Sequence, residues 1–257
     1  MSLLETRTVG SGPNLTLVHG WGLGPSVWVP VLPLLAEHFT VHVLALPGYA
    51  ACPPVADYGI EALADELAAQ LPPRAMVCGW SLGALVCLAC AARHPHRVAR
   101  MALVGTTASF LQRPGWAPGL APTALEDFLA RFDADGTALL KHFAALIHHG
   151  DDRARQAQRI LSHCLQAGPP ADSASLRAGL ETLGRTDLRT GLDDISQPAL
   201  LVHGSVDPLM PLAAAEALAQ RLPRGRLAVF GGSAHAPFAS DPERFVMQVA
   251  EFAGGGG

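Results

Sequence analysis

Short apolar runs alternate with segments of helical spacing at both ends of this chain. Buried strands are predicted at 15–18, 40–46, 76–78, 100–104, 198–204 and 227–230. Helices are predicted at 26–37, 60–71, 212–222 and 242–252, with another that ends before residue 95. Pro30 and Pro33 would limit the first helix to short turns. Strands that alternate with helices indicate an α/β protein whose mostly parallel, twisted sheet is covered on both faces.

The middle of the chain has a different pattern. From 109 to 192 the apolar residues show helical spacing, and we find no convincing strand. The predicted helices begin at a capping box formed by Thr123 and Glu126 and continue over 136–148, 152–166 and 176–183. We therefore predict an α/β core at 1–108 and 190–257, with a helical lid inserted at 109–189.

Composition narrows the possible classes of protein. The 257 residues are 49% hydrophobic and 16% charged, enough for one domain with a large core. A net charge of -4 argues against a general nucleic-acid binder. The five cysteines, mostly in apolar runs, indicate a reducing compartment. Without a signal peptide or a membrane-length apolar run, the chain is predicted to be a cytoplasmic monomer with no membrane partner.

A Gly-Trp-Ser-Leu-Gly motif at 79–83 joins the predicted central strand to the following helix. A serine on such a turn has a strained backbone and an exposed hydroxyl, and glycines let strand and helix pass closely. The N-terminus of the helix directs N–H groups and partial positive charge to the same place. Ser81 is therefore a candidate nucleophile.

Two further residues complete a candidate triad. Asp207 and His235 each follow a predicted strand, and α/β proteins place their sites in the loops at these strand ends. We predict that His235 is the base for Ser81 and that Asp207 orients it. The alternatives are that Ser81 and Asp207 are turn residues and His235 a loop residue. Asp193 and Asp194 also compete with Asp207, but they precede their strand.

The His-Gly-Trp-Gly sequence at 19–22 lies after a strand expected beside the central one. The backbone N–H groups of Trp21 and Leu82 are predicted to form an oxyanion hole. His19 is expected to brace the loop through hydrogen bonds. Histidines at 142, 148 and 149 with acids at 151 and 152 fit no known metal-ligand spacing, so we predict neither metal nor cofactor.

The motifs at 19–22, 46–49, 79–83, 204–207 and 235–238 together resemble the α/β-hydrolase family over nearly the whole chain. The motifs at 79–83 and 235–238, with the segment 154–159, more narrowly resemble the pimeloyl-[acyl-carrier protein] methyl ester esterases of biotin synthesis. The resemblance implies a serine carboxylesterase that hydrolyses the methyl ester of a carrier-bound pimeloyl chain.

The resemblance also implies an acyl-carrier protein as partner. Arg155 and Arg159 are four residues apart and share one helix face, which suits an acidic carrier and its phosphopantetheine phosphate. The opposite face carries Ala157, Ile160, Leu161 and Cys164. The alternative is a solvated face that pairs with Asp151 or Asp152. Where the family has further arginines, this chain has Lys141 and His142, which weakens the carrier interpretation.

Phe143 matches a family residue that lines the acyl channel, and the Trp21 ring is a second candidate; core packing is the alternative for both. Other functions remain open at this point. The same triad would serve a general short-chain carboxylesterase acting on small acyl esters, or a hydrolase of lactones or C–C bonds. A hydrolase-fold protein that only binds a ligand is the non-enzymatic alternative.

Overall fold

The computed structural model describes residues 3–166 and 171–255, and these contain a seven-stranded sheet. The strands are β1 Leu4–Gly10, β2 Asn14–Val18, β3 Thr40–Ala45, β4 Ala75–Trp80, β5 Val98–Val104, β6 Ala199–Gly204 and β7 Gly225–Phe230. Their order across the sheet is β1-β3-β2-β4-β5-β6-β7. All neighbours are parallel except β1 and β3, so the mostly parallel sheet is confirmed.

The antiparallel edge strand β1 is absent from the sequence-based prediction. It pairs with β3 in a register that joins Leu4 to Ala45 and Gly10 to Thr40. Four of its residues, 6–8 and 10, are exposed. An edge strand of this kind lacks the continuous apolar run that marks a buried parallel strand.

Helices cover both faces of the sheet. They are α1 Leu32–Ala36, α2 Ile60–Gln70, α3 Leu82–Arg93, α4 Pro122–Leu146, α5 Ala154–Gln166, α6 Ser173–Arg185, α7 Leu212–Arg221, α8 Pro237–Ser240 and α9 Pro242–Gly254. As the prolines predicted, 26–37 forms only short helical pieces, a 3-10 turn Pro25–Trp28 and α1. Among the described helices, none combines the length and apolarity needed to cross a membrane.

The chain between β5 and β6 is helical, and it differs from the sequence-based prediction at α4. The capping box is wrong, because α4 begins at Pro122 after Ala121, and no side chain caps it. The expected break near 136 is a kink at Asp135 within α4, where φ is -159° and ψ is 91°. The Asp135 carboxylate accepts a hydrogen bond from the Ala138 N–H at 2.9 Å, and so caps the second half.

The core of the molecule lies along β4 and α3. Every residue of β4 is buried, and so are the first ten residues of α3. Apolar surface on all sides of these two elements stabilises their packing through removal from water. The junction between them, which carries Ser81, is therefore held on a rigid support.

Candidate active site

Ser81 lies between β4 and α3 in a strained backbone conformation. Its φ is 54° and its ψ is -118°, a region that costs a non-glycine residue on the order of 1–3 kcal/mol. The Ser81 N–H donates to the Val104 carbonyl of β5 at 2.9 Å, which helps to hold this conformation. The residue is 4% exposed and borders a cavity.

Both glycines of the 79–83 motif are required by close backbone contacts, as the sequence predicted. A Cβ on Gly79 would lie 2.4 Å from the Gly83 carbonyl oxygen. A Cβ on Gly83 would lie 2.4 Å from the carbonyl oxygens of Val18 and His19. Strand β2, strand β4 and helix α3 converge here too closely for any side chain.

His235 and Asp207 form a buried hydrogen-bonded pair at the same edge of the sheet. His235 Nδ1 lies 2.7 Å from Asp207 Oδ2, and both side chains are inaccessible to solvent. Asp207 Oδ1 accepts hydrogen bonds from the N–H groups of Leu209 and Met210, each at 2.9 Å. With every carboxylate oxygen bonded, the side chain of Asp207 has one orientation.

The electrostatics of this pair favour an ionised carboxylate. Burial by itself would raise the pKa of Asp207, but the His235 imidazole beside it, with smaller contributions from His203 and the Met210 N–H, outweighs burial. The pKa of Asp207 therefore lies below its ordinary value. A carboxylate that stays charged can hold the proton on His235 Nδ1 and leave Nε2 free to act as a base.

Ser81 and His235 line the same cavity. His235 Nε2 is buried and forms no hydrogen bond to any described residue, so a Ser81–His235 hydrogen bond is not formed in this state. Catalytic hydrogen bonds of free enzymes are often long and shorten in the complex with substrate. The backbone of His235 is held by the neighbouring strand end, because the Trp80 indole N–H donates to the His235 carbonyl at 2.9 Å.

The two predicted oxyanion donors belong to the residue after Ser81 and to a residue that lines the same cavity. Leu82 is the first residue of α3, and Trp21 belongs to the loop after β2. The Gly22 N–H donates to the Tyr49 hydroxyl at 2.9 Å, which holds the loop in place. The role of the Trp21 and Leu82 N–H groups remains a prediction.

His19 braces the same loop, as expected. Its Nδ1 donates to the Gly20 carbonyl at 2.7 Å, and its Nε2 accepts from the Leu46 N–H at 3.0 Å. The ring is completely buried, and this burial lowers the pKa of His19 to about 4, against the smaller opposing effect of the Gly20 hydrogen bond. The imidazole is therefore neutral at neutral pH.

This neutral histidine should make the fold sensitive to acid. The unfolded chain takes up the proton near pH 6.5, but the folded chain only near pH 4, so stability falls as the pH drops between these values. Between pH 7 and pH 5, wild type should lose about 2 kcal/mol more unfolding free energy than His19→Gln, whose amide does not titrate. Urea unfolding of both proteins at the two pH values measures this difference, and parallel losses would contradict it.

The cavity beside Ser81 is narrow and apolar, with a volume of about 130 Å³. Trp21 and Phe143 both line it, and their rings meet edge to face with centroids 4.8 Å apart. The Trp21 indole N–H donates to the Leu176 carbonyl at 2.7 Å. Helices α4 and α6 supply much of the remaining wall, through Leu125, Phe128, Leu146, Leu180 and Leu183. The two aromatic residues are thus packed in the core and also border the cavity.

Arg155 and Arg159 are exposed on α5, and Ala157 and Leu161 on its other face are buried. The side chain of Cys164 lies outside the described part of the chain. Neither guanidinium forms an ion pair with any described residue, so the alternative of pairing with Asp151 or Asp152 is not observed. Within 3–166 and 171–255, no cluster of three His, Cys, Asp or Glu side chains could hold a metal ion.

The competing acids lie elsewhere. Asp193 belongs to a 3-10 turn, Leu192–Asp194, ahead of β6, and pairs with Arg221 at 2.7 Å. Asp193 therefore lies at the N-terminal ends of the parallel strands, whereas Ser81 lies at their C-terminal ends.

Two residues that contact the site were not predicted from the sequence. His203, at the end of β6, has its Nε2 3.6 Å from Asp207 Oδ2 and 2.7 Å from the Met210 carbonyl. Burial is the main effect on the pKa of His203 and lowers it, although the Asp207 carboxylate opposes this. Asp151, considered in the sequence as an ion-pair partner or as part of a metal-ligand pattern, also contacts the loop of His235. The position of His203 just before Gly204 at a strand end was the available signal.

Comparisons with known proteins identify the family of this chain. The alpha/beta hydrolase fold family matches residues 13–242. A pimeloyl-[acyl-carrier protein] methyl ester esterase of Aromatoleum aromaticum is 46% identical, over 93% of this chain and 97% of that protein. An esterase of the same name from Nitrosomonas europaea is 38% identical, over 96% of this chain and 98% of that protein.

Solved structures share the fold. An esterase from Exiguobacterium antarcticum superposes with a TM-score of 0.88 at 23% identity, covering 97% of this chain and 94% of that one. At this identity the likeness shows the fold alone. The chain belongs to the α/β-hydrolase fold family and, within it, to the family of pimeloyl-[acyl-carrier protein] methyl ester esterases.

Proposed function

We propose that this chain is a serine carboxylesterase that hydrolyses the methyl ester of a carrier-bound pimeloyl chain in biotin synthesis. The observation that carries the catalytic part is the buried Asp207–His235 pair, with 2.7 Å between its atoms, in the cavity that Ser81 also lines. The names of the relatives, at up to 46% identity over almost the whole chain, support the substrate.

In the first half-reaction, Ser81 Oγ attacks the ester carbonyl carbon as its proton passes to His235 Nε2. The free Nε2 lone pair suits this role, because Nδ1 is committed to Asp207. The carbonyl oxygen becomes an oxyanion, which the N–H groups of Trp21 and Leu82 stabilise. The C–O bond to the methoxy group then breaks, and the leaving oxygen takes the proton from Nε2 to give methanol.

In the second half-reaction, water attacks the acyl-enzyme and gives a proton to His235 Nε2. The bond between the acyl carbon and Ser81 Oγ breaks, and the serine oxygen regains that proton. The products are the free carboxylic acid and the starting enzyme. Every proton moves through Nε2, so the orientation of His235 controls both halves.

The helices between β5 and β6 suit the proposed lid. Helices α4 and α6 supply apolar walls around Ser81, and a methylene chain can lie along Trp21 and Phe143. Helix α5 carries Arg155 and Arg159 on an exposed face, available to an acidic carrier. The free, buried thiols among the described cysteines agree with a cytoplasmic location.

Charge reversal at both arginines tests the carrier interpretation. Arg155→Glu with Arg159→Glu should raise KM for the carrier-bound pimeloyl methyl ester about tenfold at low salt. The reason is that each exposed pair of opposite charges contributes up to about 1 kcal/mol of binding free energy. KM for methyl pimelate, which has no carrier, should stay within twofold. Steady-state kinetics on both substrates at two salt concentrations measure the effect, which should shrink as salt screens the charges.

A matched control changes the net charge equally at a distant place. Arg224 and Arg226 are exposed at the start of β7, at the edge of the sheet away from Ser81. Arg224→Glu with Arg226→Glu should leave KM for the carrier substrate within twofold. Equal effects of the two double variants, or equal effects on both substrates, would contradict docking through α5. Wild type that hydrolyses methyl pimelate as efficiently as the carrier-bound ester would contradict the proposed substrate.

A further inference from the structure

The loop that carries His235 is bonded to the turn between α4 and α5. This loop, residues 231–236, runs from β7 to α8. The His235 N–H donates to the Ile147 carbonyl at 3.0 Å, and the Gly232 carbonyl accepts from the Asp152 N–H at 2.8 Å. The backbone of the candidate base is therefore attached directly to residues 147–152, which follow the last turn of α4.

The carboxylate of Asp151 is the centre of this attachment. It is 7% exposed. Its Oδ2 accepts from the Ala234 N–H at 2.8 Å and from the Ser240 hydroxyl, and its Oδ1 accepts from the Arg153 N–H at 2.7 Å. Oδ1 thus binds the residue before α5. Oδ2 binds one residue before His235 and one residue after it.

The side chain of Arg153 forms further contacts between the same two segments. The Arg153 guanidinium donates to the Ser240 carbonyl at 3.0 Å and pairs with the Asp241 carboxylate at 3.0 Å. The loop and α8 are therefore bonded to the 147–153 turn both before and after His235. On the far side, the Trp80 indole bonds the His235 carbonyl, so the residue is held between the sheet and this turn.

We propose that Asp151 is a positioning residue for His235, which holds the 231–236 loop so that Nε2 faces Ser81. This inference rests on the proposed function, in which Nε2 carries every proton. The physical reason is that a buried carboxylate with three donors has one low-energy orientation, and each donor it loses would be left unpaired in the interior. Without Oδ2 as its acceptor, the Ala234 N–H would have to form a hydrogen bond with water. The adjacent His235 imidazole would then move away from its reactive orientation.

Capping of α5 is the competing role, and one substitution separates the two. Asp151→Ser introduces a hydroxyl that can still accept a hydrogen bond from the Arg153 N–H. The serine side chain is too short to reach Ala234 and Ser240 as well. We expect kcat for a p-nitrophenyl ester to fall at least tenfold, with KM within twofold. Asp151→Ala should lose as much or more.

Asp172 provides the matched control in the same helical segment. Its Oδ2 accepts from the Ser175 N–H and the Ser175 hydroxyl, both at 2.8 Å, so it has the same kinds of partner but no contact with the His235 loop. Asp172→Ala should lower the thermal midpoint but keep kcat within twofold. If it lowers kcat as much as Asp151→Ser, loosening of the whole segment is responsible, and the proposal is overturned.

Hydrogen exchange gives a readout that does not depend on activity. In Asp151→Ser, the Ala234 and His235 amides should lose protection at least tenfold, and in Asp172→Ala they should not. Unchanged protection in Asp151→Ser, or kcat within twofold of wild type, would overturn the positioning role even in an active enzyme. Lost protection in a chain whose wild type hydrolyses no ester would instead support the attachment and reject the proposed function. Should Asp151→Ala fail to fold, Asp151→Ser and Ser240→Ala, which removes one donor, decide the question by the same two measurements.

Discussion

Replacement of Ser81 by alanine should lower kcat by roughly 10⁴- to 10⁶-fold on every ester substrate. The hydroxyl is the only nucleophile proposed in the cavity, and the residual rate would come from the oxyanion donors and binding alone. Alanine meets the same backbone cost as serine at a φ of 54°, so the fold should survive. Initial rates on a p-nitrophenyl ester and on the carrier-bound methyl ester measure the loss.

Labelling by a fluorophosphonate provides the control. Wild type should be labelled at Ser81 and Ser81→Ala should not, and the two should unfold within a few degrees of each other. Heat-denatured wild type should stay unlabelled, because an ordinary serine does not react at neutral pH. Hydrolysis by Ser81→Ala within tenfold of the wild-type rate would reject the assignment of the nucleophile.

The sequence predicted the parts of the site that depend on local chemistry. The elbow at Ser81 follows from a glycine on each side and from an apolar strand before it, all within a few residues. Asp207 and His235 follow from the rule that loops after parallel strands meet at one edge. Each of these signals lies within a single turn or at the end of one strand.

Contacts between segments that are far apart along the chain could not be predicted from the sequence. Asp151 looks like a helix cap from its neighbours, but its partners Ala234 and Ser240 are 83 and 89 residues away. The edge strand β1 was missed because its polar residues follow no buried pattern. By contrast, the non-helical backbone that divides α4 at Asp135 agrees with the separate helices that the sequence predicted before and after 136.

Substitution of Asp207 by asparagine should lower kcat about 10⁴-fold near neutral pH while keeping the fold. The amide oxygen must stay at the Oδ1 position, because the N–H groups of Leu209 and Met210 both donate there. The amide NH₂ then faces His235 Nδ1 and donates to it. That forces the ring proton onto Nε2, which can no longer accept a proton from Ser81. Steady-state rates on a small ester at pH 7 measure the loss.

Asp193→Asn is the matched control, because it removes the same charge from an acid that competes in the sequence. Asp193 is 68% exposed and pairs with Arg221 at the far edge of the sheet, so kcat should stay within twofold. Asp207→Asn retains both backbone hydrogen bonds, and circular dichroism should show that it remains folded. If this variant keeps more than a tenth of the wild-type kcat, the tautomer of His235 does not control the reaction. The base would then have to be sought elsewhere in the cavity.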